Sequence, residues 1–135
     1  MVKNIFVLLG SFHKKEAEEM LDEVRLYARE HALNIVEERW VPGSMEKPLA
    51  LKQLLMRDDV DGGVVLGIIE KGETKHGLVM ASAVIHAIMQ LQLEFMKPIG
   101  VGILGPEILP DQIPPRVRPY ARAAAAAVNT MLRPK

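Results

Sequence analysis

The stretch GIIEKGETKH, residues 67–76, carries the densest chemistry in the chain: an apolar run, a short polar loop and then a histidine. An imidazole titrates near neutrality and can move protons in either direction. The loop before it opens a helix, and the free N–H groups of a helix start favour an anion such as phosphate. Two blander readings stand beside these: Thr74 as an ordinary N-cap, and His76 as a surface histidine in a first helical turn. Glu46 follows Pro42-Gly43 closely and can accept hydrogen bonds from ligand hydroxyls, or simply supply charge at a helix start. Arg116, Arg118 and Arg122 gather around the last helix start, as a phosphate clamp or as a solvated face. His13, His31 and His86 are weaker candidates. No pair of histidines has the spacing of a metal-binding helix, so no metal is expected. Neither a Walker loop nor a G-x-G-x-x-G is present, which leaves nucleotide binding without support.

These residues need elements to hold them. Residues 3–10 form a continuous apolar run ended by Gly10, the pattern of a strand buried on both faces. From Lys14, apolar residues recur at helical spacing through Ala28. Residues 33–41 predict a second strand, and Pro48 suits the first turn of a short helix. Asp61-Gly62-Gly63 reads as a loop before a third strand at 64–69. A long helix follows His76, then a fourth strand at 99–104. Gly105-Pro106 and residues 109–115 read as irregular before a last helix at about 118–132. Apolar strands alternating with helices imply a three-layer α/β/α sandwich around a four-stranded parallel sheet. Ligands of such sheets bind beyond the carboxyl ends of the strands. The loops at 10–13, 41–46 and 70–76 all lie on that rim.

The long helix sends a second signal. Ser82, His86, Gln90 and Glu94 fall four apart and trace one polar stripe, while nearly every other position is apolar. A chain of 135 residues has too little interior to cover such a helix on so many sides, so a neighbouring subunit is the expected cover. The same polar interruptions argue against a membrane span. The N-terminal apolar run is five residues long and lacks a small-residue cleavage site, so no signal peptide is expected.

Composition sets outer bounds. The length suits one domain, residues 1–135. With no cysteine, disulfides, thiolate catalysis and cysteine-based metal sites are excluded, in keeping with a cytoplasmic protein. Basic and acidic residues number 17 each, which gives no footprint for a nucleic-acid or anionic-membrane partner.

Together, Val41-Pro42-Gly43-Ser44-Met45-Glu46-Lys47-Pro48 and the 67–76 motif resemble the 6,7-dimethyl-8-ribityllumazine synthase family over about residues 4–132. The resemblance implies a flavodoxin-like α/β/α fold, no cofactor, and homopentamers that sometimes assemble into sixty-subunit shells. It implies condensation of 5-amino-6-ribitylaminouracil with 3,4-dihydroxy-2-butanone 4-phosphate through an imine, phosphate loss and ring closure. By position, Phe12 would stack on the pyrimidine ring, and Ile68 and Ile69 would line its pocket. Ser44 and Glu46 would follow the ring and ribityl chain. The amides of Gly72, Glu73 and Thr74 would hold phosphate, and His76 would shuttle protons. Arg116 would pair with the phosphate from an adjacent subunit.

Several positions depart from the family pattern. Met45 replaces a common phenylalanine, Val101 a frequent aromatic contributed by a neighbour, and Ala121 a usual lysine. The loop ahead of the last helix is a short form, Arg116-Val117-Arg118-Pro119-Tyr120, as in archaeal-type members. Two further readings compete. Archaeal-type riboflavin synthase also carries a V-P-G loop but lacks the G-E-T-x-H motif, so Thr74 and His76 weigh against it. A non-catalytic homologue that binds lumazines or flavins, or only assembles, is the other.

Overall fold

The computed structural model describes residues 1–134. Four strands, β1 (Lys3–Gly10), β2 (Leu33–Val41), β3 (Gly62–Glu70) and β4 (Ile99–Ile108), form one sheet in the order β2-β1-β3-β4, parallel throughout. Helices α1 (Lys14–Glu30) and α4 (Val117–Leu132) cover one face, and α2 (Lys47–Leu55) and α3 (His76–Phe95) the other. The expected three-layer α/β/α architecture is therefore present.

Alternation within β1 explains how one apolar run serves both layers. Ile5, Val7 and Leu9 enter the core beneath α1 and α4, whereas Phe6 and Leu8 enter the core beneath α2 and α3. All five are fully buried. The chain leaves β1 for β2 on one side, then returns across it to β3 on the other. The carboxyl ends of β1 and β3 thus flank the point where the strand order reverses, the preferred ligand position in open parallel sheets.

Two boundaries differ from the sequence reading. Gly62 and Gly63 open β3 rather than ending a loop. A Cβ on Gly63 would lie 2.3 Å from the Phe6 ring, so glycine is there to admit an aromatic from the next strand, not to turn the chain. Strand β4 also runs four residues further, through Gly105-Pro106 to Ile108, because Ile108 regains pairing with Glu70 after an irregularity in register. The expected irregular stretch that follows consists of two short 3-10 turns, Pro110–Gln112 and Pro114–Arg116.

Candidate active site

Three loops at the carboxyl rim converge on a cavity of about 480 Å³. Its wall is formed by Phe12 from the loop after β1, Gly43 to Glu46 from the turn after β2, and Ile68 to Gly72, Thr74, His76, Gly77 and Met80 from β3 and the start of α3. The first two loops are tied together. The backbone N–H of Ser11 donates to the Val41 carbonyl at 2.8 Å, and its hydroxyl donates to the same oxygen at 3.0 Å. His13 then adopts a left-handed conformation (φ 59°), and its ring meets Phe12 edge-on at 5.3 Å. Phe12 projects into solvent with 71% of its surface exposed, an unfavourable place for a phenylalanine without a partner to stack on.

Across the cavity, Ile68 and Ile69 are buried and make an apolar floor. The loop beyond them is anchored at its base by the Lys71 N–H, which donates to Ile108 at 2.9 Å. The amides of Gly72, Glu73 and Thr74 have no partner among the described residues and precede the α3 N-terminus. They are free to receive an anion. Thr74 also turns out to act as a local cap: its Oγ1 accepts the His76 N–H at 3.3 Å. Capping and anion binding are compatible here, since they use the side chain and the backbone N–H groups respectively. His76 opens α3 on the exposed rim, with Gly77 and Met80 beside it.

Most sequence-identified candidates share this cavity: Phe12, Ser44, Met45, Glu46, Ile68, Ile69, Gly72, Thr74 and His76. Three do not line it. Glu73 sits in the phosphate-type loop but faces out. Val101 lies on β4, and Arg116 lines a separate hollow with Gly105, Pro106, Glu107, Ile108, Gln112 and Tyr120. Within one chain, neither Val101 nor Arg116 reaches the cavity. The arginine cluster nevertheless divides cleanly. Arg122 donates to Glu23 at 3.0 Å and to Glu30 at 2.7 Å, and Arg118 approaches Glu23 at 3.5 Å. Arg116 pairs with no carboxylate among the described residues; it donates to the Gln112 carbonyl at 2.8 Å. It is the arginine left available for an incoming anion.

Sequence reasoning missed Met80 and Gly77 as lining residues, although Met80, four residues after His76, lies on the same helix face. It also missed Lys47, a lysine in a helix start that is 1% exposed. Nothing in the local sequence marks it, because a lysine between a glutamate and a proline reads as surface.

Residues 3–135 match the sequence family described as 6,7-dimethyl-8-ribityllumazine synthase. The chain belongs to that family. Similar proteins bear the same name in Metallosphaera sedula (46% identity over 93 residues, 69% of this chain and 62% of that protein), in Staphylothermus marinus (39% over 128 residues, 95% and 85%) and in Methanopyrus kandleri (40% over 107 residues, 79% and 76%). The aligned part thus spans less than two-thirds of the Metallosphaera protein and most of the Staphylothermus one. The shared name favours the lumazine synthase reading over riboflavin synthase.

The site's setting also resolves the character of α3. By length and a mean hydropathy of 1.5 this helix is long and apolar enough to cross a membrane, and 22% of that stretch is buried within the chain. It lies along the sheet, with Ala81, Val84, Ile88 and Leu91 packed into the core shared with α2. A helix held flat on a parallel sheet cannot also span a bilayer. Its other side leaves Val79, Met89 and Leu93 exposed, with the exposed Ser82 and His86 between them, and a single chain does not cover it.

Proposed function

We propose that this chain condenses 5-amino-6-ribitylaminouracil with 3,4-dihydroxy-2-butanone 4-phosphate, releasing 6,7-dimethyl-8-ribityllumazine, inorganic phosphate and water. The observation that carries the reading is the cavity in which Phe12, an isoleucine floor, Glu46, Gly72, Thr74 and His76 meet. Phe12 stacks on the ring against Ile68 and Ile69, and Ser44 and Glu46 receive the ribityl hydroxyls. The butanone phosphate enters with its phosphate on the loop amides. The ring amine attacks the ketone, and water leaves to give an imine. Phosphate is then eliminated, and the second amine closes the ring with loss of water. His76 takes and returns the protons of these steps, at the mouth of the site beside the departing phosphate.

The functional unit is a homopentamer in the cytoplasm, the family's ring form or its sixty-subunit shell. The exposed Val79, Met89 and Leu93 of α3 support assembly, because three large apolar side chains left open on one helix side favour a covering subunit. In the ring, Arg116 and Val101 of one subunit complete the cavity of the next, Arg116 meeting the phosphate and Val101 covering the ring. No cofactor takes part.

Incubating the purified protein with both substrates and following lumazine formation tests the proposal. Turnover above the spontaneous rate supports it. No turnover, with lumazine bound but unchanged, points to the non-catalytic binding homologue. Conversion of supplied lumazine to riboflavin would instead identify a riboflavin synthase.

A further inference from the structure

Lys47 is the one charged side chain buried among the described residues, and its surroundings are built to hold it. Its Nζ lies in a niche between Gly10, the last residue of β1, and Gly67, near the end of β3. A Cβ on Gly67 would come within 2.1 Å of the nitrogen, and one on Gly10 would stand 3.5 Å from it. Two glycines on neighbouring strands therefore make the room. No ion pair or hydrogen bond to a described residue compensates the charge, and burial alone pushes the amine down to about 8. An unpaired buried cation destabilises a fold. An apolar side chain of the same length would fill the niche without that penalty, so folding does not explain this lysine.

The position does. Gly67 precedes Ile68 on the cavity floor, Gly10 stands two residues before Phe12, and Gly43 belongs to both niche and cavity wall. Lys47 does not itself line the cavity, but its chain neighbour Glu46 does, as does Ile68 next to Gly67, so the nitrogen lies behind the wall on the side assigned above to the ring rather than to the phosphate. We propose that Lys47 is a ligand-binding residue whose ammonium donates a hydrogen bond to a carbonyl oxygen of the bound pyrimidinedione ring, which supplies the partner that the fold withholds. The inference rests on the lumazine synthase reading and adds to it a residue that fixes the orientation of the ring. Gly10 and Gly67 present only backbone to the nitrogen. The turn after β2 contributes Glu46, and the cavity wall beyond carries Glu70, Lys71 and His76, none of which pairs with it.

Fluorescence titration with 6,7-dimethyl-8-ribityllumazine tests this on the assembled wild-type protein, Lys47→Met and Lys47→Gln. Methionine has nearly the same length without the charge, and glutamine keeps a neutral N–H donor. Lys47→Met is expected to melt at the same temperature or higher and to bind lumazine roughly ten- to a hundredfold more weakly, with Lys47→Gln between it and wild type. Wild-type affinity should fall as pH rises past about 8, while the Lys47→Met affinity follows only the groups common to both. Equal affinity in wild type and both variants would overturn the inference. So would a loss of binding that tracks a loss of melting temperature in both variants, since that marks a structural role. Wild-type protein that does not bind lumazine at all would overturn the functional reading itself, an outcome visible before any variant is made.

Discussion

The two faces of the sheet are finished to different degrees. Beneath α1 and α4 the core is closed within one chain: Ala121, Ala124, Ala125 and Val128 pack down onto the sheet, and Arg122 seals the outside by bridging to Glu23 and Glu30 and lying 5.0 Å over the Tyr27 ring. Beneath α2 and α3 the core is equally well packed, but its outer helix presents Val79, Met89 and Leu93 to solvent and its rim opens into the cavity. One face spends its surface charges on its own helices. The other leaves exposed apolar side chains, unpaired amides and an unpaired lysine. On the proposed reading, a neighbouring subunit covers the exposed side of α3 and a ligand enters the rim on the same side.

Replacing His76 strikes that side hardest. His76→Gln is expected to lower kcat by roughly one to four orders of magnitude, the range for positioned proton transfer, with the fold intact because the side chain stands on an exposed rim. Loss will be incomplete, since the condensation also proceeds slowly unaided. An unchanged rate in a correctly assembled protein would remove His76 from the mechanism.

Assembly is the next largest effect. Leu93 is 69% exposed in the single chain, so Leu93→Asp should change chain stability little, within about 0.5 kcal/mol. A carboxylate buried in a subunit contact costs several kcal/mol, however, and sedimentation should show dissociation toward a 15.0 kDa species. Unaltered assembly would place the contact elsewhere on α3.

Lys47 sharpens the comparison through pH. Its folded pKa, about 8, lies below the usual 10.5, so between these values the unfolded chain binds more protons than the folded one. Stability must then rise with pH across that window, by on the order of 3 kcal/mol in total. The penalty is fully present below about 8 and fades toward 10.5. Chemical denaturation of wild type against Lys47→Met, with ligand absent, should show this rise in wild type only. Parallel curves would mean that the ammonium has a compensating partner.

The arginines give the smallest effects and the cleanest contrast. Arg116→Ala should raise KM for the butanone phosphate roughly ten- to a hundredfold, because a charge-assisted bond to phosphate is worth about 1.5–3 kcal/mol. Arg122→Ala should leave KM alone and cost stability by no more than about 1 kcal/mol, as expected of a solvent-exposed ion pair. Reversed outcomes would exchange the roles of the two faces.

Much of this was legible in the sequence. Apolar runs such as Ile5-Phe6-Val7-Leu8-Leu9 and the 3.6-residue spacing of α1 are direct consequences of burial, so strands, helices and the α/β/α class followed from pattern alone. The three rim loops were identifiable because parallel sheets place their ligands at one edge. Gly63 misled because it serves packing, making way for Phe6, and the room that Gly67 leaves for Lys47 is equally hidden from local sequence. The buried lysine was invisible for the same reason, since its burial depends on strands that come together only in the fold. Likewise, the separation of Arg116 from Arg118 and Arg122 needed Glu23 and Glu30, which lie on a helix far away in the chain.

The central claim is that each cavity is completed across a subunit boundary, and mixing two damaged proteins tests it most directly. His76→Gln keeps a sound Arg116, and Arg116→Ala keeps a sound His76. If the two groups act from different subunits, assemblies reformed from equal amounts of both variants contain some boundaries with an intact pair. In a ring of head-to-tail contacts that fraction is roughly one quarter, so activity at limiting butanone phosphate should climb toward a quarter of the wild-type value. Activity equal to the average of the two separate variants, in mixed assemblies of normal size, would contradict the account.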